Sequence, residues 1–121
     1  MPVFDHDRLD AYQLSLDFVV LADAISVGLS HGRRHLANQL NRAATSVCLN
    51  IAEGAGEFSP ADKARFYRMA RRSATECAAV LDILERLAAG RTEPLASGRE
   101  ILARVVSMLV RLAQRGGHQS A

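Results

Sequence analysis

Apolar positions recur along this chain at spacings of three and four residues, in four successive stretches, as amphipathic helices require. In the first, about 7–29, the repeating set is Leu9, Tyr12, Leu16, Val19, Val20 and Ala24, with Asp5 or Asp7 as the candidate cap and Gly28 at its end. In the second, about 33–55, Leu36, Leu40, Ala43, Val47, Ile51 and Gly54 form one stripe, and Gly54 and Gly56 stop it. The third, about 60–89, begins with Ser59 as N-cap, Pro60 at the first helical position and Asp62 at the capping-box position. It continues through the apolar Phe66, Met69, Ala70, Cys77, Val80, Leu81, Leu84 and Leu87, with Ser73 among them, and Gly90 follows it. The fourth, about 93–115, presents Leu95, Ile101, Leu102, Val105, Met108, Leu109 and Leu112. Residues 116–121 read as a disordered tail.

No strand pattern, repeat or low-complexity linker interrupts the helices. Short connections between long helices predict an all-α, antiparallel up-down-up-down four-helix bundle, with residues 1–121 as one domain. Aromatic residues are only 5% of the chain, so Ala and Leu must fill the core, which suits close helix packing. Apolar residues reach 49%, enough to leave room for a buried subunit contact.

The net charge of +2 conceals an asymmetry. Residues 1–30 hold five acids and one base, whereas residues 31–72 hold eight bases and three acids. All basic residues but Lys63 are Arg, whose planar fork suits carboxylate and phosphate. The acidic start does not resemble a secretory signal, and the apolar stretch from Leu14 to Leu29 is broken by Asp17 and Asp23. A cytoplasmic protein without a membrane span is expected. Cys48 and Cys77 are isolated, without the spacing of a zinc or redox pair.

Two constellations stand out. A polar stripe on the second helix comprises Gln39, Arg42, Ser46, Asn50 and Glu53, and the third helix offers Arg65, Arg72, Ser73 and Glu76. A hairpin turning near residue 57 places Glu53 and Asn50 near Lys63 and Arg65, and Arg42 and Gln39 near Ser73 and Glu76. Ion pairs Glu53–Arg65 and Arg42–Glu76 are expected. Such pairs fix helix register, since a buried charge without a partner is costly. A ligand site or an oligomer contact are the alternatives.

The second constellation is basic: Arg33 and Arg34 on the second helix, with Lys63, Arg68, Arg71 and Arg72 on the third. Arg65, Arg68 and Arg72 recur on one face, and Arg33–Arg34 is expected opposite Arg71–Arg72, giving one continuous patch. That is the electrostatic footprint of phosphate binding. A solvated face, or a partner for the acidic first helix in another subunit, is the competing reading. No aromatic residues interleave the cluster as base stacking requires. There is no Glu-x-x-His pair for a di-iron bundle, no dinucleotide loop or Walker lysine, and no recognisable nucleophile arrangement. No metal, cofactor, small-molecule substrate or enzymatic activity is expected.

The elements Gln39-Leu40, Arg42-Ala43-Ala44, Ser46, Asn50-Ile51-Ala52-Glu53-Gly54, Gly56, Ser59, Arg65-Phe66, Ala70, Ser73 and Glu76 carry a resemblance. Together with Leu9-Asp10-Ala11-Tyr12-Gln13, they resemble the four-helix-bundle proteins encoded in intervening sequences of bacterial 23S ribosomal RNA genes. That resemblance implies an antiparallel four-helix bundle assembled as a ring-like homopentamer, with suspected RNA association. Related pentameric bundles serve as basic accessory factors beside reverse transcriptases.

The leading functional expectation is therefore a non-enzymatic homo-oligomer that binds RNA, or a nucleic-acid-bound partner, through its basic face. The alternative is a structural or protein-interaction module whose arginines pair with acids across subunits. Helix-turn-helix DNA binding is disfavoured by the length of the third helix, roughly thirty residues or about 45 Å.

Overall fold

The computed structural model describes residues 4–118. Four α-helices account for most of them: α1 Asp10–Val27, α2 Arg34–Gly56, α3 Pro60–Arg86 and α4 Thr92–His118. Short 3-10 turns at Asp5–Arg8 and His31–Arg33 precede α1 and α2. Among the described residues there is no strand.

Each helix packs on two others, in the ring α1–α2–α3–α4 and back to α1. Cys48 meets Ser15 near one end of the α1–α2 pair, and Ala37 meets Ser26 near the other. In the next pair Ser46 meets Ser73 and Gln39 meets Glu76. Between α3 and α4, Arg99 reaches Asp82 in an exposed ion pair of 2.6 Å.

The core follows small residues as much as large ones. The α2 stripe Leu36, Leu40, Ala43, Val47, Ile51 and Gly54 is wholly buried. On α3, buried Ala64, Ala70 and Ala74 allow close approach, while Tyr67, Cys77, Val80, Leu81 and Leu84 fill the volume. Met69 and Leu87, which belong to the apolar set read from sequence, are exposed instead.

The first helix departs furthest from expectation. Its buried residues are Ala11, Ser15, Phe18, Ala22 and Ile25, while Val20 is 70% exposed and Leu16 and Ala24 also face outward. Apolar residues surround α1, so several stripes fit its sequence and contact with α2 and α4 selects one. Neither Asp5 nor Asp7 caps α1. Its N-cap is Leu9, without a side-chain cap, and the Asp7 carboxylate accepts instead from the Phe4 amide at 2.9 Å.

Capping signals on α3 act as written. The Ser59 hydroxyl accepts from the Asp62 amide at 3.3 Å, and Pro60 occupies the first turn. The helix ends at Arg86, three residues before the expected limit, because Ala88 turns left-handed at φ 53°. There the Ala89 amide bonds back to the Leu84 carbonyl at 2.8 Å and the Ala88 amide to that of Glu85 at 3.0 Å, closing the helix. At the other end, α4 continues through His118, so residues 116–118 are helical rather than tail; 119–121 lie outside the described residues.

Candidate nucleic-acid interface and the polar groove

Every expected site residue lies on α2, α3 or the turn leading into α2. The hairpin is close-packed at Gly54, which is buried against the Tyr67 ring. A Cβ there would stand 2.7 Å from Tyr67 Cε1 and 3.2 Å from Phe66 Cβ, so only glycine fits this approach. Next to it, Lys63 Nζ donates to the Ala55 carbonyl at 2.9 Å and the Gly54 carbonyl at 3.4 Å. The ammonium thus satisfies the open end of α2, where the helix dipole favours a cation.

Away from the turn, polar side chains join the two helices. Ser46 and Ser73 share a hydrogen bond of 2.8 Å, and Asn50 Nδ2 donates to the Ser46 carbonyl at 2.9 Å and hydroxyl at 3.1 Å. Gln39 Nε2 donates to Glu76 at 3.4 Å. Arg42 lines the same groove, a cavity of about 660 Å³ that also includes His35 and Asn38.

Neither expected ion pair forms. Arg65 reaches Asp62, one turn away on its own helix, at 3.8 Å and lies 4.7 Å from the Phe66 ring centroid. The local i,i+3 partner is already beside it, whereas Glu53 points to solvent from α2. Glu76 takes its bond from Gln39, and Arg42 stands exposed in the groove without an ion pair among the described residues.

The basic residues do not make one continuous patch. The Gln39–Glu76 and Ser46–Ser73 contacts set a register that puts Arg34 opposite the end of α3. Arg71 and Arg72 then lie about 17 Å away along the axis at 1.5 Å per residue. Arg68 and Arg71 open onto the α3/α4 groove beside Leu109, Val110 and Gln114, a cavity of about 230 Å³. Arg72 opens onto the α2/α3 groove beside Ser46, Asn50 and Glu76. Arg68, Arg71 and Arg72 are exposed, and none pairs with an acid among the described residues.

The structure also gathers arginines that the reading of α2 and α3 passes over. Arg8, Arg111 and Arg115 converge on a cavity of about 260 Å³ between the start of α1 and the end of α4. The available signal was the spacing of Arg104, Arg111 and Arg115 on one helical face, with no acid after Glu100.

Neither cysteine is tuned for nucleophilic chemistry. Both cysteines are free and buried. Burial pushes the Cys77 thiol up to about 12, with smaller contributions from the Glu76 and Cys48 charges. Burial also raises Cys48, whose thiol donates to the Ser15 hydroxyl at 3.2 Å. Thiols held protonated in this way are poor nucleophiles. Among the described residues no group of three or more His, Cys, Asp or Glu side chains is placed to hold a metal ion, and no helix is long and apolar enough to cross a membrane.

Among curated proteins none matches the chain. One solved structure similar in fold is a crystal structure of a protein of unknown function from the S23 ribosomal protein family of Bacteroides thetaiotaomicron. It superposes with a TM-score of 0.78 at 23% identity, covering 86% of this chain and 95% of the other. The family model for the 23S rRNA-intervening sequence protein matches residues 7–111, and the chain belongs to that family.

Proposed function

We propose that this chain is a non-enzymatic, homo-oligomeric bundle, its helices running antiparallel up-down-up-down, that binds RNA through exposed arginines. The observation that supports this reading is the trio Arg68, Arg71 and Arg72, three exposed arginines within five residues of α3 with no acid paired to any of them among the described residues. Guanidinium forks match phosphate oxygens bidentately, and cations not neutralised within the chain release phosphate counterions on binding. The family description names a 23S rRNA intervening sequence, which makes structured RNA the first ligand to test.

Self-association is supported by a different feature. Leu49 is 60% exposed and Met69 39% exposed, and they lie on the two sides of the Ser46–Asn50–Ser73 network. Exposed apolar groups around a satisfied polar centre suit a subunit contact, and a ring-like pentamer is the assembly the family resemblance favours.

A second reading rests on α1. Asp10, Asp17 and Asp23 are exposed, and none is ion-paired among the described residues. In a structural module these carboxylates would meet the arginines of a neighbouring subunit. Fluorescence anisotropy against structured RNA and duplex DNA over a salt series separates the two. Binding to RNA that weakens steeply with salt, and falls in Arg68→Ala/Arg72→Ala while sedimentation stays unchanged, is the expected result. Dissociation of the oligomer by those substitutions, with no RNA binding at low salt, would overturn the proposal for the second reading.

A further inference from the structure

We propose that the groove between the C-terminal half of α4 and the start of α1 is a phosphodiester-binding site for single-stranded RNA, held by Arg8, Arg111 and Arg115. The inference rests on the RNA-binding reading above and moves its centre away from the α2/α3 hairpin. Three guanidinium groups from two separate elements line one cavity, and all three are exposed. Arg111 Nη1 donates to the Ser107 hydroxyl one turn earlier at 3.1 Å, which holds the side chain along α4 and leaves its other donors free. None of the three pairs with an acid among the described residues. Beneath them lie half-buried Leu9, Met108 and Leu112. An apolar floor under a cationic rim suits a nucleotide, with ribose and base on the floor and phosphate at the rim.

The electrostatics favour this groove over the larger one. The α2/α3 cavity contains Glu76, and its Gln39, Ser46 and Ser73 groups are committed to internal hydrogen bonds. In the α1/α4 groove the sole lining carboxylate is Asp10. The N-terminal end of α1 and the C-terminal end of α4 meet there, so their dipole ends oppose each other and the arginines decide the sign. On the far side of α4, Arg68 and Arg71 flank the next groove, about one helix diameter or 10 Å away. A strand crossing α4 would meet cations on both sides.

The test uses the intact chain and two probes, a fluorescein-labelled oligouridylate and inorganic polyphosphate. Arg111→Gln/Arg115→Gln is compared with Arg72→Gln, with sedimentation and circular dichroism as checks on assembly and folding. The expected result is a loss of roughly tenfold in affinity per α4 arginine, and a salt slope lower by about 1.4 for the pair on a single strand. Lysine at both positions should restore the slope more than the affinity. RNA binding unaffected by the α4 pair but reduced by Arg72→Gln would overturn this inference and leave the RNA-binding reading standing. Polyphosphate binding lost in the α4 pair, with no oligouridylate binding by the parent chain, would overturn the assignment to single-stranded RNA and leave the groove as a site for phosphate alone. Binding of neither probe at low salt would overturn this inference and leave the RNA-binding reading to the titration with structured RNA.

Discussion

Replacing Gly54 with alanine isolates the close approach of α2 to Tyr67 of α3. The added Cβ would stand 2.7 Å from Tyr67 Cε1 and 2.9 Å from Cδ1, well inside contact distance. Tyr67 is 5% exposed, so its ring has no open space to swing into. Overpacking of this kind costs about 1–3 kcal/mol. Against it stands the helix preference of alanine over glycine, about 1 kcal/mol in a helix interior and less in a last turn. The net loss is about 1–2 kcal/mol, or about 4–8 °C in midpoint for a domain of this size. Gly56, two residues on, has nothing within 4 Å of its own built Cβ, so Gly56→Ala keeps the propensity gain without the clash. Thermal and urea unfolding followed by circular dichroism, at one protein concentration, should place Gly54→Ala below the parent and Gly56→Ala at or above it. The double change Gly54→Ala/Tyr67→Leu should cost less than the sum of its parts by about 1 kcal/mol, because the smaller side chain gives the methyl room. A Gly54→Ala protein as stable as Gly56→Ala would refute the close-approach argument.

Two further changes test other parts of the fold. Ala88 sits left-handed at φ 53°, a conformation glycine adopts freely, so Ala88→Gly should raise the unfolding free energy by about 0.5–1 kcal/mol; a loss of stability would show that this end of α3 is not strained. Cys77 has its thiol raised from 9.0 to about 12, so the folded chain keeps a proton that the unfolded chain releases. The stability this provides is intact below pH 9 and is lost as pH rises towards 12. The slope is about 1.4 kcal/mol per pH unit for one proton. The raised Cys48 and Tyr67 act in the same direction, so Cys77→Ala should flatten the alkaline limb without abolishing it. Parallel urea-denaturation curves for the two proteins across pH 9 to 11, with identical slopes, would count against the buried-thiol argument.

Much of this architecture was legible because its signals are local. Ser59, Pro60 and Asp62 mark the start of α3 by chemistry that acts within one turn. The α2 stripe is legible because charged and polar residues occupy the opposite face of that helix. The face of α1 was not legible, since its apolar residues surround it and a buried serine sits in the true core stripe. Ser15 is tolerated there because its hydroxyl donates to the Tyr12 carbonyl at 2.6 Å and accepts from Cys48. Those partners exist only once α1 and α2 are packed.

The charged surface was less legible than the core, for a geometric reason. Sequence spacing assigns an arginine to a face of its own helix, but in a bundle each exposed helix borders two grooves. Arg68 and Arg72 are one turn apart on α3, yet one opens towards α4 and the other towards α2. Conversely, Arg8 and Arg111 are about a hundred residues apart and line the same cavity. Charge runs therefore overstate what a single helix presents and miss what two helices assemble. Register matters as well. A hairpin turning near residue 57 already sets Arg34 opposite residue 80, about 12 Å along the axis from Arg72, so one continuous patch does not follow from that register. Both expected ion pairs give way to closer partners, Asp62 for Arg65 and Gln39 for Glu76. Exposed ion pairs are worth about 1 kcal/mol or less, too little to set helix register against a glycine–tyrosine contact and a buried apolar stripe. The arginines follow the packing, and the grooves they line are consequences of how α1, α3 and α4 bury their apolar faces.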